Sequence, residues 1–151
     1  MTAIGFALLL LLSSVAYSQA CTAAGSILNA KNTTMGNFDY AVFTLKNPLN
    51  SGYSYTVTTE TGPFTQDPSG NPVTITGPKY KKIVFQAVTW TCQIAENFSV
   101  PKTAIKDIKK IEQFEGVVAY VVGHRTASPF IAAYTYTAGS TQKVVMAFRR
   151  Y

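Results

Sequence analysis

The sequence predicts an all-β fold, a single β-sandwich of about eight short, mostly antiparallel strands. Apolar and polar residues alternate with a period of two in several runs, and glycine and proline separate these runs. Only residues 105–114 carry a helical spacing of apolar residues. The length of 151 residues fits one domain with a real hydrophobic core.

The first half of the chain contains three clear strand candidates. FDYAVFTL (38–45) and YSYTVTTE (53–60) alternate along their length, and KKIVFQAVTWTC (81–92) is the longest candidate. Between them, GPFTQDPSGNP (62–72) predicts a loop, because its prolines and glycines interrupt a strand ladder. VTIT (73–76) predicts a short strand, placed at a sheet edge.

The second half holds one ambiguous segment and three further strand candidates. In IKDIKKIEQF (105–114) the isoleucines recur every three residues, which suits a helix, yet the segment lacks caps and runs straight into an apolar strand. Both assignments stay open on periodicity alone. The strands that follow are VVAYVVGHR (117–125), FIAAYTY (130–136) and QKVVMAFRR (142–150), the last two joined by the hairpin signal AGST.

The amino terminus predicts secretion. Residues 1–18 contain an apolar run that is shorter than a membrane span of about 20 residues, and small side chains precede a cleavage site after Ser18. Residues 19–36 then predict a flexible arm, and residues 37–151 the folded domain. The arm has an alternative interpretation, as a strand that pairs with the sheet edge of a neighbouring subunit. The protein is expected to be secreted, extracellular or cell-surface, without a membrane span.

Secretion determines how the two cysteines and the two glycosylation sequons are interpreted. Cys21 and Cys92 predict one disulfide in an oxidising environment. Cys21 could instead be lipidated, which would leave Cys92 as a free thiol. Asn32 and Asn97 begin sequons that would accept N-glycans in a eukaryotic source.

The charge balance predicts a partner that is a polymer. With 13 Lys and Arg against 7 acids, the net charge of +6 favours an anionic polysaccharide or a membrane surface over nucleic acid for a secreted protein. Tyrosines on one strand face could stack on anionic or neutral sugar rings. The alternatives are that the charges only keep the protein soluble and that the tyrosines only pack. The candidate ligand-binding residues are Lys81, Lys82, Tyr134, Tyr136, Arg149 and Arg150.

Catalysis is not predicted. His124 is the single histidine and follows an apolar strand, where a side chain is usually exposed. The sequence contains no metal-binding motif, no phosphate-binding loop and no nucleophile motif. We therefore expect no catalytic residue, no metal and no cofactor.

Three stretches carry a resemblance to a known family. They are NFDYAVFTL, GPFTQDPSGNPVTITG and IKDIKKIEQFEGVVAYVVGHRTASPFIAAYT, the last being the most specific. Together they span residues 37–150 and resemble the AMIN-like domain of secreted, mainly bacterial proteins. The chain departs from that family at its end, AFRRY, where an Asp between hydrophobic residues is usual.

The resemblance implies a compact β-sandwich in which residues 105–114 form a strand. It also implies that Phe114, Val118 and Phe130 pack in the core. The related AMIN domain is a non-catalytic module that places cell-wall amidases and secretins at peptidoglycan. By analogy this chain would be a secreted binding module for cell-envelope or extracellular polysaccharide.

Two other functions remain as hypotheses. The chain could be a structural subunit that self-assembles into an extracellular filament or matrix through sheet edges or the arm. An enzyme using His124 is the third and weakest hypothesis.

Overall fold

A computed structural model describes residues 24–46, 52–88 and 101–151 and confirms the all-β fold. The described residues form ten strands. They are β1 (Ile27–Met35), β2 (Phe38–Lys46), β3 (Ser54–Glu60), β4 (Phe64–Gln66), β5 (Asn71–Val73), β6 (Lys79–Gln86), β7 (Ile105–Phe114), β8 (Val117–His124), β9 (Phe130–Ala138) and β10 (Thr141–Arg149). The signal peptide, Cys21, Cys92 and Asn97 lie outside the described residues.

The strands form two four-stranded antiparallel sheets and one separate hairpin. Sheet A has the order β1-β2-β10-β9, and sheet B has the order β3-β6-β8-β7. The hairpin consists of β4 and β5. The last strand of the chain, β10, pairs with both β2 and β9, so the two ends of the domain are held in one sheet.

Large aromatic side chains from both sheets fill the core. The ring of Phe43 on β2 lies 5.3 Å from Phe85 and 5.0 Å from Tyr120, which project from β6 and β8. Phe148 on β10 is also completely buried. These contacts join the inward faces of the two sheets, as expected for alternating strands in a sandwich.

The outer face of sheet B has a cover of its own. The β4–β5 hairpin and the residues after it form a second cluster on this face, and the Phe64 ring lies 4.9 Å from Tyr80. The amide of Asp67 donates to the carbonyl of Ile111 on β7 and ties the hairpin down at 2.8 Å. Strand β8 is therefore buried on both faces, which explains its uninterrupted apolar sequence.

One glycine allows this covering segment to lie close to β8. The carbonyl oxygen of Thr76 would be only 2.0 Å from a Cβ at Gly123. The amide of Thr76 donates to the buried carboxylate of Asp107 on β7 at 3.1 Å, which holds the crossing in place. The glycine that ends the apolar strand is thus required by a backbone contact.

A buried carboxylate connects the two sheets. Asp39 on β2 is completely buried, and its Oδ2 accepts hydrogen bonds from the amides of Ala104 and Ile105 at 2.6 and 3.3 Å. Its Oδ1 accepts from the hydroxyl of Thr34 at 2.6 Å and lies 3.7 Å from Nε of Arg150. This one side chain therefore holds the start of β7 against sheet A.

The assignment of residues 105–114 as a strand is confirmed, and its helix-like spacing has a structural cause. The register of β7 shifts between Ile105 and Asp107 and again between Lys110 and Glu112. The first irregularity lets Ile105 and Ile108 face the same core although they are three residues apart. The second turns Ile111 to the cluster under the hairpin.

The interpretation of residues 19–36 as a flexible arm is wrong for residues 27–35. These residues form β1, which pairs along its length with β2. Ile27 and Ala30 are completely buried and anchor the strand, while its second half is mostly polar and exposed, which hid the pattern. Asn32 consequently lies in a strand, where it is half-buried.

Two smaller expectations also change. Residues 71–73, and not 73–76, form the strand of the covering hairpin. Pro72 is tolerated in this strand because, among the described strands, β5 pairs only with β4 and its other edge is open. Phe114 is 52% exposed at the end of β7, whereas Val118 is buried and Phe130 packs against the core as expected. The hairpin predicted around AGST is confirmed between β9 and β10.

Replacement of Gly123 by alanine should destabilise the domain by about 3 kcal/mol, the upper end of the range for overpacking. The added methyl would meet a backbone carbonyl that Asp107 holds in place. Gly139→Ala is the control, since its Cβ enters open space and costs only about 1 kcal/mol for the positive φ. Urea denaturation measures both, and equal losses would contradict the packing argument.

Asp39→Ala should cost about 3 kcal/mol, because it leaves two buried amides without their acceptor. Asp67→Ala, which removes an exposed carboxylate, should change the free energy of unfolding by less than about 0.5 kcal/mol. Thermal unfolding of the two variants makes the comparison. A loss at Asp39 no larger than at Asp67 would refute its role in joining the sheets.

Candidate functional site

The outer face of sheet A is the face that no cluster of described residues covers. The strand register places its side chains in rows across the sheet. One row contains Lys31, Val42, Val145 and Tyr134 in that order. In the neighbouring row, Lys143 on β10 lies between Thr44 and Tyr136.

These rows enclose a groove of about 320 Å³. Val42 and Val145 form its floor, and Tyr134 and Tyr136 stand on the β9 side. Tyr40 and the end of β1 stand opposite. The groove is lined by Thr33, Thr34, Met35, Tyr40, Val42, Tyr134, Tyr136 and Val145. The two β9 tyrosines are 44% and 48% exposed, so their rings are accessible to a ligand.

The charges on this face all have the same sign. The four strands of sheet A contain a single acid, Asp39, which is buried on the inward side. Their four cations all have the outward register, and they are Lys31, Lys46, Lys143 and Arg149. The outer face therefore combines accessible aromatic rings with an uncompensated positive charge.

Close packing shifts the pKa values of two side chains on this face. Burial lowers the pKa of Lys143, and the nearby positive charge of Lys31 lowers it further. Lys143 donates a hydrogen bond to the hydroxyl of Thr44 at 2.7 Å. Burial raises the pKa of Tyr134, with smaller effects from Tyr40 and Tyr136, so the phenol stays protonated at neutral pH.

The structure brings together only some of the candidate residues. Tyr134, Tyr136 and Arg149 share the outer face of sheet A, and the guanidinium of Arg149 lies 5.2 Å from the centre of the Tyr151 ring. Lys31 and Lys143 were not among the candidates. The pairing of β1 with β2 would have revealed Lys31, but the polar sequence of β1 concealed the strand.

The other three basic candidates lie elsewhere. Lys81 donates to the hydroxyl of Thr59 at 2.6 Å and lies 5.0 Å from the centre of the Phe130 ring. Lys82 belongs to sheet B, where it is the cross-strand partner of Val121. Arg150 bonds to the carbonyl of Gly36 and to Thr103, both at 3.2 Å, in the junction of the two sheets.

The surroundings of His124 indicate a structural role for its side chain. It is only 6% exposed, contrary to the expectation for a strand end, and its ring lies 5.0 Å from that of Phe148. Nδ1 is 3.0 Å from the carbonyl oxygens of both Arg125 and Ser128. Because carbonyls only accept, Nδ1 carries the proton and donates to them. The imidazole thus closes the turn after β8.

Metal-ligating side chains are dispersed in the described part of the chain. No three His, Cys, Asp or Glu side chains there come close enough together to hold a metal ion. The same residues contain no helix with the length and apolarity needed to cross a bilayer.

The fold is a two-sheet β-sandwich with an exposed aromatic face on sheet A. A family model for the AMIN-like domain matches residues 26–149, which include all ten strands. The chain belongs to the AMIN-like domain family, whose members are binding and targeting domains of the cell wall. Comparisons with curated proteins and with solved structures returned no match.

The environment of His124 predicts a pH-dependent stability. Burial lowers its pKa from about 6.5, with lesser contributions from Lys81 and Lys79, while the two carbonyls act in the opposite direction. The folded state therefore favours the neutral ring. The stabilisation that His124 contributes is fully present above a pH of about 6.5. It is lost as the pH falls through the lower pKa that His124 has in the folded state.

Urea denaturation at pH 7.5 and 5.5 should show a loss of stability on acidification in the wild-type protein. His124→Asn keeps a donor near the position of Nδ1 but does not titrate, so its loss over the same interval should be smaller. Identical pH profiles for the two proteins would contradict this account of His124.

Proposed function

We propose that the protein is a secreted, non-catalytic module that attaches to cell-envelope or extracellular polysaccharide through the outer face of sheet A. The observation that carries this proposal is the groove between Tyr40 and the pair Tyr134 and Tyr136, which lies open on a face with four cations and no outward acid. Membership of the AMIN-like family supports a cell-wall target such as peptidoglycan.

The groove suits a sugar chain for physical reasons. One face of a pyranose ring presents C–H groups that pack on an aromatic ring, while its hydroxyls point to the sides. Tyr134 and Tyr136 are two residues apart on one strand and so present consecutive platforms, spaced by about 7 Å. Thr33 on the opposite side supplies a hydroxyl that can bond with those of the sugar, whereas the hydroxyl of Thr34 donates to Asp39.

The absence of catalysis is part of the same proposal. His124 is engaged with two carbonyls and a phenylalanine ring, on a different part of the molecule from the groove. The groove itself is lined by apolar, hydroxyl and phenol groups, without an acid, histidine or cysteine. Such a lining is suited to holding a polymer and offers no general base.

The filament hypothesis makes a different demand on the amino-terminal segment. A linking arm would have to leave its own sheet, but residues 27–35 are paired with β2 along their length. Sheet edges remain as the alternative contact. Light scattering of the protein without glycan separates the two hypotheses, since a module is expected to be monomeric and a matrix subunit to form large assemblies.

Co-sedimentation with purified peptidoglycan tests the site. The double variant Tyr134→Ala/Tyr136→Ala should weaken binding by about tenfold or more, because each platform ring contributes on the order of 1 kcal/mol. Thr137→Ala lies on the same strand but on the other side of the sheet, and it should bind as the wild-type does. Normal retention of the double variant would refute this site.

A further inference from the structure

We propose that the outer face of sheet A selects acidic polysaccharide, with the sugar rings on Tyr134 and Tyr136 and their carboxylates against Lys31 and Lys143. This inference rests on the proposed function and deepens it, since it specifies the charge of the polymer. A neutral sugar chain would need the tyrosines alone, whereas this geometry adds a cation to each aromatic row.

The register supplies the first argument. Lys31 lies in the same row as Tyr134, at the other end of the groove floor formed by Val42 and Val145. Lys143 is the direct cross-strand partner of Tyr136. Each ring platform therefore has a lysine in its own row, which is next to the ring for Tyr136 and lies across β10 and β2 for Tyr134. A polymer with one carboxylate per ring can place a carboxylate near each lysine.

The unbalanced charge supplies the second argument. Lys31 is exposed and Lys143 is half-buried, and no acid of sheet A faces outward. The hydrogen bond from Lys143 to Thr44 satisfies a donor but neutralises no charge. The two ammonium groups repel each other, as the effect of Lys31 on the pKa of Lys143 indicates. A carboxylate between them would relieve this repulsion.

The shape of the site favours a polysaccharide over an anionic membrane. The floor residues Val42 and Val145 lie below the tyrosines, so the apolar surface is recessed in a groove and not presented on a protruding loop. A bilayer surface would contact the rims first, and these carry the hydroxyl of Thr33 and the phenols of Tyr134 and Tyr136, with Met35 as the one exposed aliphatic side chain among them. An extended chain can enter the groove along its length.

Galacturonate oligomers and their fully methyl-esterified forms test the selection, because the two ligands differ mainly in charge. Calorimetry at low salt should give the acidic oligomer an affinity about tenfold higher, since each exposed ion pair contributes up to about fivefold. The difference should shrink in high salt. The variant Lys31→Gln/Lys143→Gln should lose the preference and keep its binding of the ester.

Lys81→Gln/Lys82→Gln is the matched control, with the same change of net charge on residues of sheet B, away from the outer face of sheet A. It should retain the preference for the acidic form. Tyr134→Ala should weaken binding of both oligomers. These three results together would support the proposal.

Several outcomes would overturn it. Equal affinity for acid and ester would refute selection while leaving polysaccharide binding intact, and an equal loss of preference in both lysine pairs would reduce it to net charge. Binding to vesicles of phosphatidylglycerol without binding to the acidic oligomer would replace the polysaccharide by a membrane. Failure to bind peptidoglycan and both oligomers would refute the proposed function itself.

Discussion

The buried carboxylate of Asp39 is the interaction on which the arrangement of the two sheets depends. Strand pairing holds each sheet together, but it leaves their relative position to side chains. Asp39 projects inward from β2 and accepts the amides of Ala104 and Ile105, where the chain enters β7 of the other sheet. Arg150 approaches it from the end of β10. A buried carboxylate without its hydrogen-bond partners would cost free energy. Burial therefore favours the one arrangement of the two sheets in which Asp39 keeps these partners.

The outer face of sheet B is covered and the outer face of sheet A is open, and this difference places the candidate site on sheet A. On sheet B, the β4–β5 hairpin covers the apolar outward side chains, and Gly123 allows Thr76 to lie directly on β8. On sheet A, the outward apolar side chains Val42 and Val145 form the groove floor, and tyrosines, threonines and lysines surround them in place of a covering hairpin. The residue types match these roles, since tyrosine and lysine combine apolar contact area with a solvated end.

The candidate site was only partly predictable from the chain. Tyr134 and Tyr136 could be placed on one face because a strand alternates strictly, and the structure agrees with that alternation. Lys143 meets Tyr136 within the β9–β10 hairpin, whereas Lys31 joins them only across four strands from the opposite end of the chain, which no local pattern encodes. Arg149 and Arg150 are adjacent, so alternation alone separates them to opposite sides, but the approach of Arg150 to Asp39 is a long-range contact that only the tertiary structure shows.

Alternation of apolar residues, glycine and proline spacing and the AGST turn were enough to predict an all-β sandwich, because these signals act over a few neighbouring residues. The same signals failed at β1, where a polar exposed half masks two buried anchors, Ile27 and Ala30. They were ambiguous at β7, where irregular pairing with β8 turns a period of two into a period of three. Which face is covered, and which residues meet in the groove, depended on long-range pairing, because register is set between strands that are distant in the chain.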